Sequence, residues 1–374
     1  MRDPSRTRAA VRLGLSVVAA LAVLAGGAWW FADRSALQLE VAKPAASAPA
    51  EPSAAQAQAE PPPSLAERLG DVLEPENAPT TEAEPPEVKG GVSVGHAAGL
   101  HHAPDALRLK ASAAFVIDQG SGQVLLGKNE NAVLPIASLT KLMTALVLTQ
   151  AKLPMNEVLT ITDNDVDYER NSRSRLRVGT SLTRGEALHL ALMSSENRAA
   201  HALGRTFPGG LAAFVAAMNH KARALGMKNT TYADPTGLSS RNQSTARDLA
   251  AVAAAASKEP LIREYSTTIE HEAMLGRRKV RYKNSDRLVK SPRWNIHLQK
   301  TGYIVEAGQC LVVNATMANR DLILVLLDSA DKRSRIDDAE RIRHWATGEP
   351  RPTTLREKVG KLKRRLTGKA AKHD

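Results

Sequence analysis

Three strand-like stretches near the C-terminal end of the chain, residues 296–305, 310–318 and 322–327, follow one another with only a glycine- or asparagine-containing turn between each. Runs of this length and spacing predict neighbouring strands of one antiparallel sheet. A second pair, 113–117 and 124–126, flanks Gln119-Gly120-Ser121-Gly122 and predicts a hairpin. Between these two groups the apolar residues recur at helical spacing over 138–149, 183–193, 210–225 and 245–257. Strands at both ends with helices between them specify an α+β fold. One central antiparallel sheet is completed by both ends of the segment, helices flank it, and an all-α lobe is inserted between.

The rest of the 374 residues divides by composition. Arg2, Arg6, Arg8 and Arg12 precede an apolar run over 13–32. A basic flank before an apolar stretch is an export pattern, and roughly 20 apolar residues also suffice to cross a bilayer. Ala25-Gly26-Gly27-Ala28 suits a signal peptidase, whereas Trp29 and Trp30 suit an interfacial anchor. Residues 1–32 are thus a signal peptide or an N-terminal membrane anchor. Either one places the remainder in the periplasm, soluble or tethered to the outer face of the cytoplasmic membrane. Residues 33–106 are rich in alanine, proline and glutamate and read as a disordered tether. A capping-box pattern at Ser64 and Glu67 interrupts it. The predicted catalytic domain spans 107–348, and a basic tail, 349–374, follows it.

The formal net charge of +12 favours a polyanionic partner. Aromatic residues make up only 3%, which argues against base stacking and hence against nucleic acid. In the tail, Leu355, Val359, Leu362 and Leu366 recur at helical spacing among lysines and arginines. Such a helix suits an anionic membrane or an acidic wall polymer, and equally a solvated tail. Cys310, the one cysteine, lies in an apolar run and reads as a small core residue.

Amide hydrolysis by serine requires a nucleophile, a base held against it, and donors for the oxyanion. Ser138-Leu139-Thr140-Lys141 opens a predicted helix and offers the first two, because residues three apart share a helix face. Lys141 can serve as a base only if its pKa is lowered. Ser195-Glu196-Asn197 follows a second predicted helix, and Lys300-Thr301-Gly302 lies in a late strand, where glycine permits close approach of a backbone. Two of these elements have decoys, Ser329-Ala330-Asp331-Lys332 and Ser240-Arg241-Asn242. The decoys fail on context: Ser329 lies beyond the Lys-Thr-Gly strand, and Ser240 follows no helix. The three elements in this order form the motif set of penicillin-binding proteins and class A β-lactamases.

With the longer stretches Leu134–Thr144, Met193–Ala200, Asp234–Ser239 and Lys300–Gly308, the segment resembles the low-molecular-mass penicillin-binding proteins. Within them it is most similar to the D-alanyl-D-alanine endopeptidases. The resemblance covers about residues 107–345 and implies a penicillin-recognising, serine β-lactamase-like fold. It implies acylation of Ser138, Lys141 as its base, and Ser195 as a proton relay. Asn197 would hold a substrate amide, Lys300 and Thr301 the substrate carboxylate. Gly302 would give room for the substrate, and the amides of Ser138 and Tyr303 would form the oxyanion hole. The partners so implied are peptidoglycan stem peptides and cross-links, with β-lactams as covalent inhibitors.

Other classes fit less well. A class A β-lactamase needs a Glu-x-x-Leu-Asn loop after the Ser-x-Asn element; none occurs, and Glu169 precedes Ser195 without that context. His271-Glu272 lacks the second histidine of a His-Glu-x-x-His metallopeptidase. No cofactor and no metal are expected. A DD-carboxypeptidase and a non-catalytic wall-binding protein remain the alternatives to an endopeptidase. About 30 residues follow Trp345, too few for the β-rich domain that many carboxypeptidases of this family carry.

Overall fold

The computed structural model describes residues 91–168 and 170–350. All of them belong to the unit Pro63–Asp374. The export segment 1–32, the tether up to residue 90, Glu169 and the tail from 351 onward lie outside the described residues. Among those described, no helix is long and apolar enough to cross a membrane.

The first half of the fold comprises a short helix α1 (Val94–Ala97), strands β1 (Ala113–Asp118), β2 (Val124–Lys128) and β3 (Leu134–Pro135), and helix α2 (Lys141–Gln150). Strands β4 (Val158–Thr160) and β5 (Ser181–Thr183) precede helices α3 (Arg184–Met193), α4 (Asn197–Arg205) and α5 (Gly210–Ala224). Strand β6 (Gln243–Ser244), helices α6 (Ala246–Ala256) and α7 (Pro260–Thr267), and the hairpin β7 (Glu270–Leu275) and β8 (Arg278–Lys283) come next. The chain closes with β9 (Asn295–Ile304), β10 (Gly308–Met317), β11 (Arg320–Ser329) and helix α8 (Lys332–Thr347).

The central sheet has the order β2-β1-β11-β10-β9, and every neighbouring pair is antiparallel. The two ends of the segment therefore meet in one sheet, as expected for the α+β class. Both faces of β1, β10 and β11 are covered, which is why these strands read as largely apolar runs. Successive side chains point to opposite faces. Phe115, Cys310, Val312 and Val325 join the core shared with the helical lobe, while Val116, Leu311, Val313 and Leu324 join a second core under α8. Helix α6 packs on the lobe side of β1, β10 and β11, and α8 covers β10 and β11 with Ile336, Ala339 and Ile342. Cys310 is fully buried, and burial pushes its thiol up to about 12, so it is the inert core residue expected.

Helix α2 is buried from Lys141 to Leu148 and touches α3, α4, α5 and α6. A helix enclosed on all sides is apolar all round, and here Lys141 and Thr144 are the buried exceptions. The decoy at Ser329 is a strand-to-helix junction. Asp331 caps α8 by accepting from the amides of Arg333 and Ser334, and Ser329 is fully buried at the end of β11.

One boundary differs from the composition-based expectation. Residues 91–106 were assigned to the tether, yet they fold against the domain. The Val94 amide donates to the Glu306 carbonyl at 3.0 Å, and His96 Nδ1 lies 3.0 Å from Asp328 Oδ2. Lys128 Nζ donates to the His101 carbonyl and pairs with Asp105 at 3.3 Å. Polar contacts hold this segment, so its few apolar residues gave no sign of it.

Candidate active site

The turn before α2 is tight. Residues Ala137–Thr140 form a single 3-10 turn, and Ala137 has φ of 48°, in the left-handed region. Two glycines let other loops press against it. A Cβ on Gly302 would lie 3.0 Å from the Ile136 carbonyl oxygen and 3.2 Å from the Ser138 nitrogen. A Cβ on Gly237, itself at φ 80°, would lie 1.9 Å from the Ala137 carbonyl oxygen. Gly237→Ala is therefore expected to displace the Ser138 turn, at a cost of about 1–3 kcal/mol or more. It should lower Tm and abolish labelling by a fluorescent penicillin. Gly276→Ala, at φ 62° in a hairpin with nothing within 4 Å, should cost strain alone and keep the labelling.

Lys141 Nζ lies 2.9 Å from Ser138 Oγ, 2.7 Å from Asn197 Oδ1 and 2.6 Å from the Thr236 carbonyl oxygen. The last two partners are acceptors only. In the neutral amine, two N–H groups satisfy them and the lone pair is left for the Ser138 hydroxyl. Burial lowers the Lys141 pKa to about 7, against the raising pull of Asp234 and Glu196. Both charge states are thus accessible near neutrality. Lys300 nearby is likewise held well below the usual lysine range, first by burial and then by Lys141 and Arg335.

Lys300 and Gly302 lie on the face of β9 that carries Leu298 and Ile304 into the lobe-side core. Lys300 is fully buried, and its Nζ donates to Ser195 Oγ at 2.9 Å and to the Thr301 carbonyl at 2.8 Å. Thr301 Oγ1 donates to Ser285 Oγ at 2.7 Å. Ser195 follows α3 with φ 62°, a left-handed conformation rare for serine and found where surrounding structure enforces it. Asn197 is the first residue of α4. Tyr303 is exposed, and β9 is an edge strand, so half of its backbone groups lack a strand partner. Gly302 lies against the Ser138 turn, and Tyr303 is its exposed neighbour on β9. Six of the eight motif residues form two hydrogen-bonded groups: Ser138, Lys141 and Asn197, and Ser195, Lys300 and Thr301.

Sequence reasoning missed the supports. Asp234 accepts from the Thr236 and Gly237 amides with Oδ1 and from the Ser239 amide with Oδ2, which aims the Thr236 carbonyl at Lys141. Asn242 Nδ2 in turn donates to Asp234 Oδ2, and the Asn242 carbonyl accepts from the Ile136 amide. The decoy Ser240-Arg241-Asn242 is therefore a brace for the site and not a copy of it. The turn chemistry of Asp-Pro-Thr-Gly was the available signal. Glu196, buried beside Ser195, has its carboxyl pKa raised by burial, an effect opposed by the Ser174 hydroxyl and the Arg175 amide. A cavity of about 620 Å³ opens over Ser195 and is lined by Arg173, Arg175, Arg198 and neighbouring serines. Among the described residues the one group with metal-binding geometry is Glu186, His189 and His271, which takes no part in these contacts.

The chain belongs to the D-alanyl-D-alanine carboxypeptidase family, whose model matches residues 100–331, and so to the serine DD-peptidases of the low-molecular-mass penicillin-binding class. It is 45% identical over 259 residues to a D-alanyl-D-alanine endopeptidase of Pseudomonas aeruginosa, covering 68% of this chain and 84% of that one. A D-alanyl-D-alanine endopeptidase of Escherichia coli is 40% identical over 247 residues, covering 65% and 80%. A DD-transpeptidase of Streptomyces superposes with a TM-score of 0.61 at 28% identity, over 66% of this chain and 99% of that one. The fold is the penicillin-recognising α+β fold that the motif order implied.

Proposed function

We propose that this protein is a periplasmic serine endopeptidase that hydrolyses D-alanyl cross-links of peptidoglycan through an acyl-enzyme on Ser138. The contact set of Lys141 carries this reading, because it holds an amine of near-neutral pKa against one serine hydroxyl and gives its other two bonds to carbonyl oxygens. Lys141 takes the Ser138 proton as Oγ attacks the D-alanyl carbonyl. The oxyanion forms against the amides of Ser138 and Tyr303, whose strand Gly302 brings close to the turn. Ser195, hydrogen-bonded to Lys300, relays a proton to the leaving amine. Water then attacks the ester, releases the D-alanyl carboxylate and restores Ser138. Asn197 holds the substrate amide, and Lys300 with Thr301 meets a substrate carboxylate, whose negative charge favours the ammonium form of Lys300.

Endopeptidase action is preferred to carboxypeptidase action because relatives at 40–45% identity, matched over 80–84% of their length, are named endopeptidases. The role that follows is cell-wall biogenesis and cell shape, with the export segment as signal or anchor and the basic tail as a contact to an anionic membrane or wall polymer. Purified cross-linked sacculi test the proposal. The wild-type chain should lower the cross-linked fraction, and prior β-lactam treatment should stop it. An unchanged fraction would contradict the proposal. In the same assay, truncation after Gly348 should weaken low-salt binding to sacculi or anionic vesicles, and equal binding would remove the role of the tail.

A further inference from the structure

Glu186 and His189 lie three residues apart on α3 and share one face of it. His271 on β7 comes against that face, with Nε2 at 2.9 and 3.1 Å from the two carboxylate oxygens of Glu186. The His189 and His271 rings are 4.3 Å apart, and Tyr265 stacks on His189 at 4.3 Å with planes 12° apart, which fixes that ring. One donor atom from each of Glu186, His189 and His271 lies within 4.8 Å of the other two. His189 is only 8% exposed, and its Nε2 is buried without a hydrogen-bond partner. Buried polar atoms are almost always satisfied, so an orphaned imidazole nitrogen beside a carboxylate and a second imidazole asks what fills the gap.

Two imidazoles and a carboxylate are a donor set for zinc or a similar borderline divalent ion. Ligands about 2.0–2.1 Å from a tetrahedral ion stand about 3.3 Å from one another. To admit one, the Glu186–His271 contact would open by a few tenths of an ångström and the wider separations, all within 4.8 Å, would close toward that spacing. We propose that Glu186, His189 and His271 form a binding site for a zinc-class divalent ion, with solvent completing its coordination. The ion would clamp α3 to the β7–β8 hairpin. Those two elements lead directly to the cleft: Ser195 follows the end of α3, and Ser285, two residues beyond β8, donates its amide to the Met193 carbonyl and bonds Thr301 through its hydroxyl. The clamp is positional, since none of its three residues contacts the Ser138–Lys141 group. Sequence spacing could not reveal it, because His271 reaches α3 only through the fold.

The test uses the untagged full chain, stripped with a chelator and titrated with zinc by calorimetry, with metal content measured after gel filtration. One ion per chain should bind, and zinc should raise Tm. Cobalt(II) in place of zinc should give the visible absorption of a nitrogen- and oxygen-ligated ion. His271→Ala and the near-isosteric Glu186→Gln should each weaken zinc binding by at least about tenfold and abolish the rise in Tm. His101→Ala, in the separate histidine stack of His96, His101 and His102, should bind as the wild type does. Absence of saturable binding would overturn the proposal, and so would binding that survives both His271→Ala and Glu186→Gln or is lost in His101→Ala.

Discussion

Ser138→Ala is expected to leave no covalent β-lactam adduct and to lower peptide turnover by at least about four decades. Removing one hydroxyl leaves the turn, its glycine contacts and the Lys300 wall intact. The variant should therefore keep the wild-type Tm and still bind β-lactam reversibly. Ser329→Ala is the matched control, because Ser329 heads the same Ser-x-x-Lys spacing but lies buried at the end of β11. It should label normally. An adduct mapped by peptide digestion to any serine other than Ser138 would contradict the assignment.

Lys141→Arg should slow acylation by about two to four decades, the usual scale for general-base catalysis. Arginine keeps a positive charge and cannot give up its proton in this range. The pH profile separates this role from a merely structural one. With the Lys141 pKa lowered to about 7, the neutral amine predominates above that pH and the ammonium below it. Wild-type acylation should therefore rise as pH increases through about 7 and then level off, and the arginine variant should lack that step. An arginine variant that acylates within a few fold of wild type would rule out the base role, provided thermal unfolding shows it folded.

The parts legible in the sequence were those where one residue type does one job. The inner strands β1, β10 and β11 are covered on both faces, so they stood out as apolar runs, and α2 did so for the same reason. The motif residues were legible by type, order and context, and the fold joins six of them by hydrogen bonds and sets Gly302 against the Ser138 turn. Elements with one solvent face were harder. Helix α8 is mostly charged, yet Ile336, Ala339, Ile342 and Ala346 repeat at helical spacing between an Asp331 cap and Gly348 at φ 69°. The charged hairpin β7–β8 and the short helices α4 and α7 likewise lacked the long apolar pattern that reveals an element. Within the site, what escaped was main-chain chemistry. The Thr236 carbonyl that holds Lys141 has no residue-type signature, and the approach of Gly237 to Ala137 depends on a tertiary contact. The His189–His271 contact escaped because it too is made only by folding.

The central claim is the identity of the bond that is cut. Both a carboxypeptidase and an endopeptidase would use Ser138, Lys141 and the carboxylate grip of Lys300 and Thr301, so variants of those residues do not separate them. The purified enzyme should be incubated with a defined cross-linked muropeptide dimer and, in parallel, with a pentapeptide monomer, and the products weighed by mass spectrometry over time. The account predicts monomers from the dimer, with little free D-alanine from the pentapeptide. Rapid D-alanine release from the pentapeptide with the dimer left intact would contradict it and make the enzyme a carboxypeptidase.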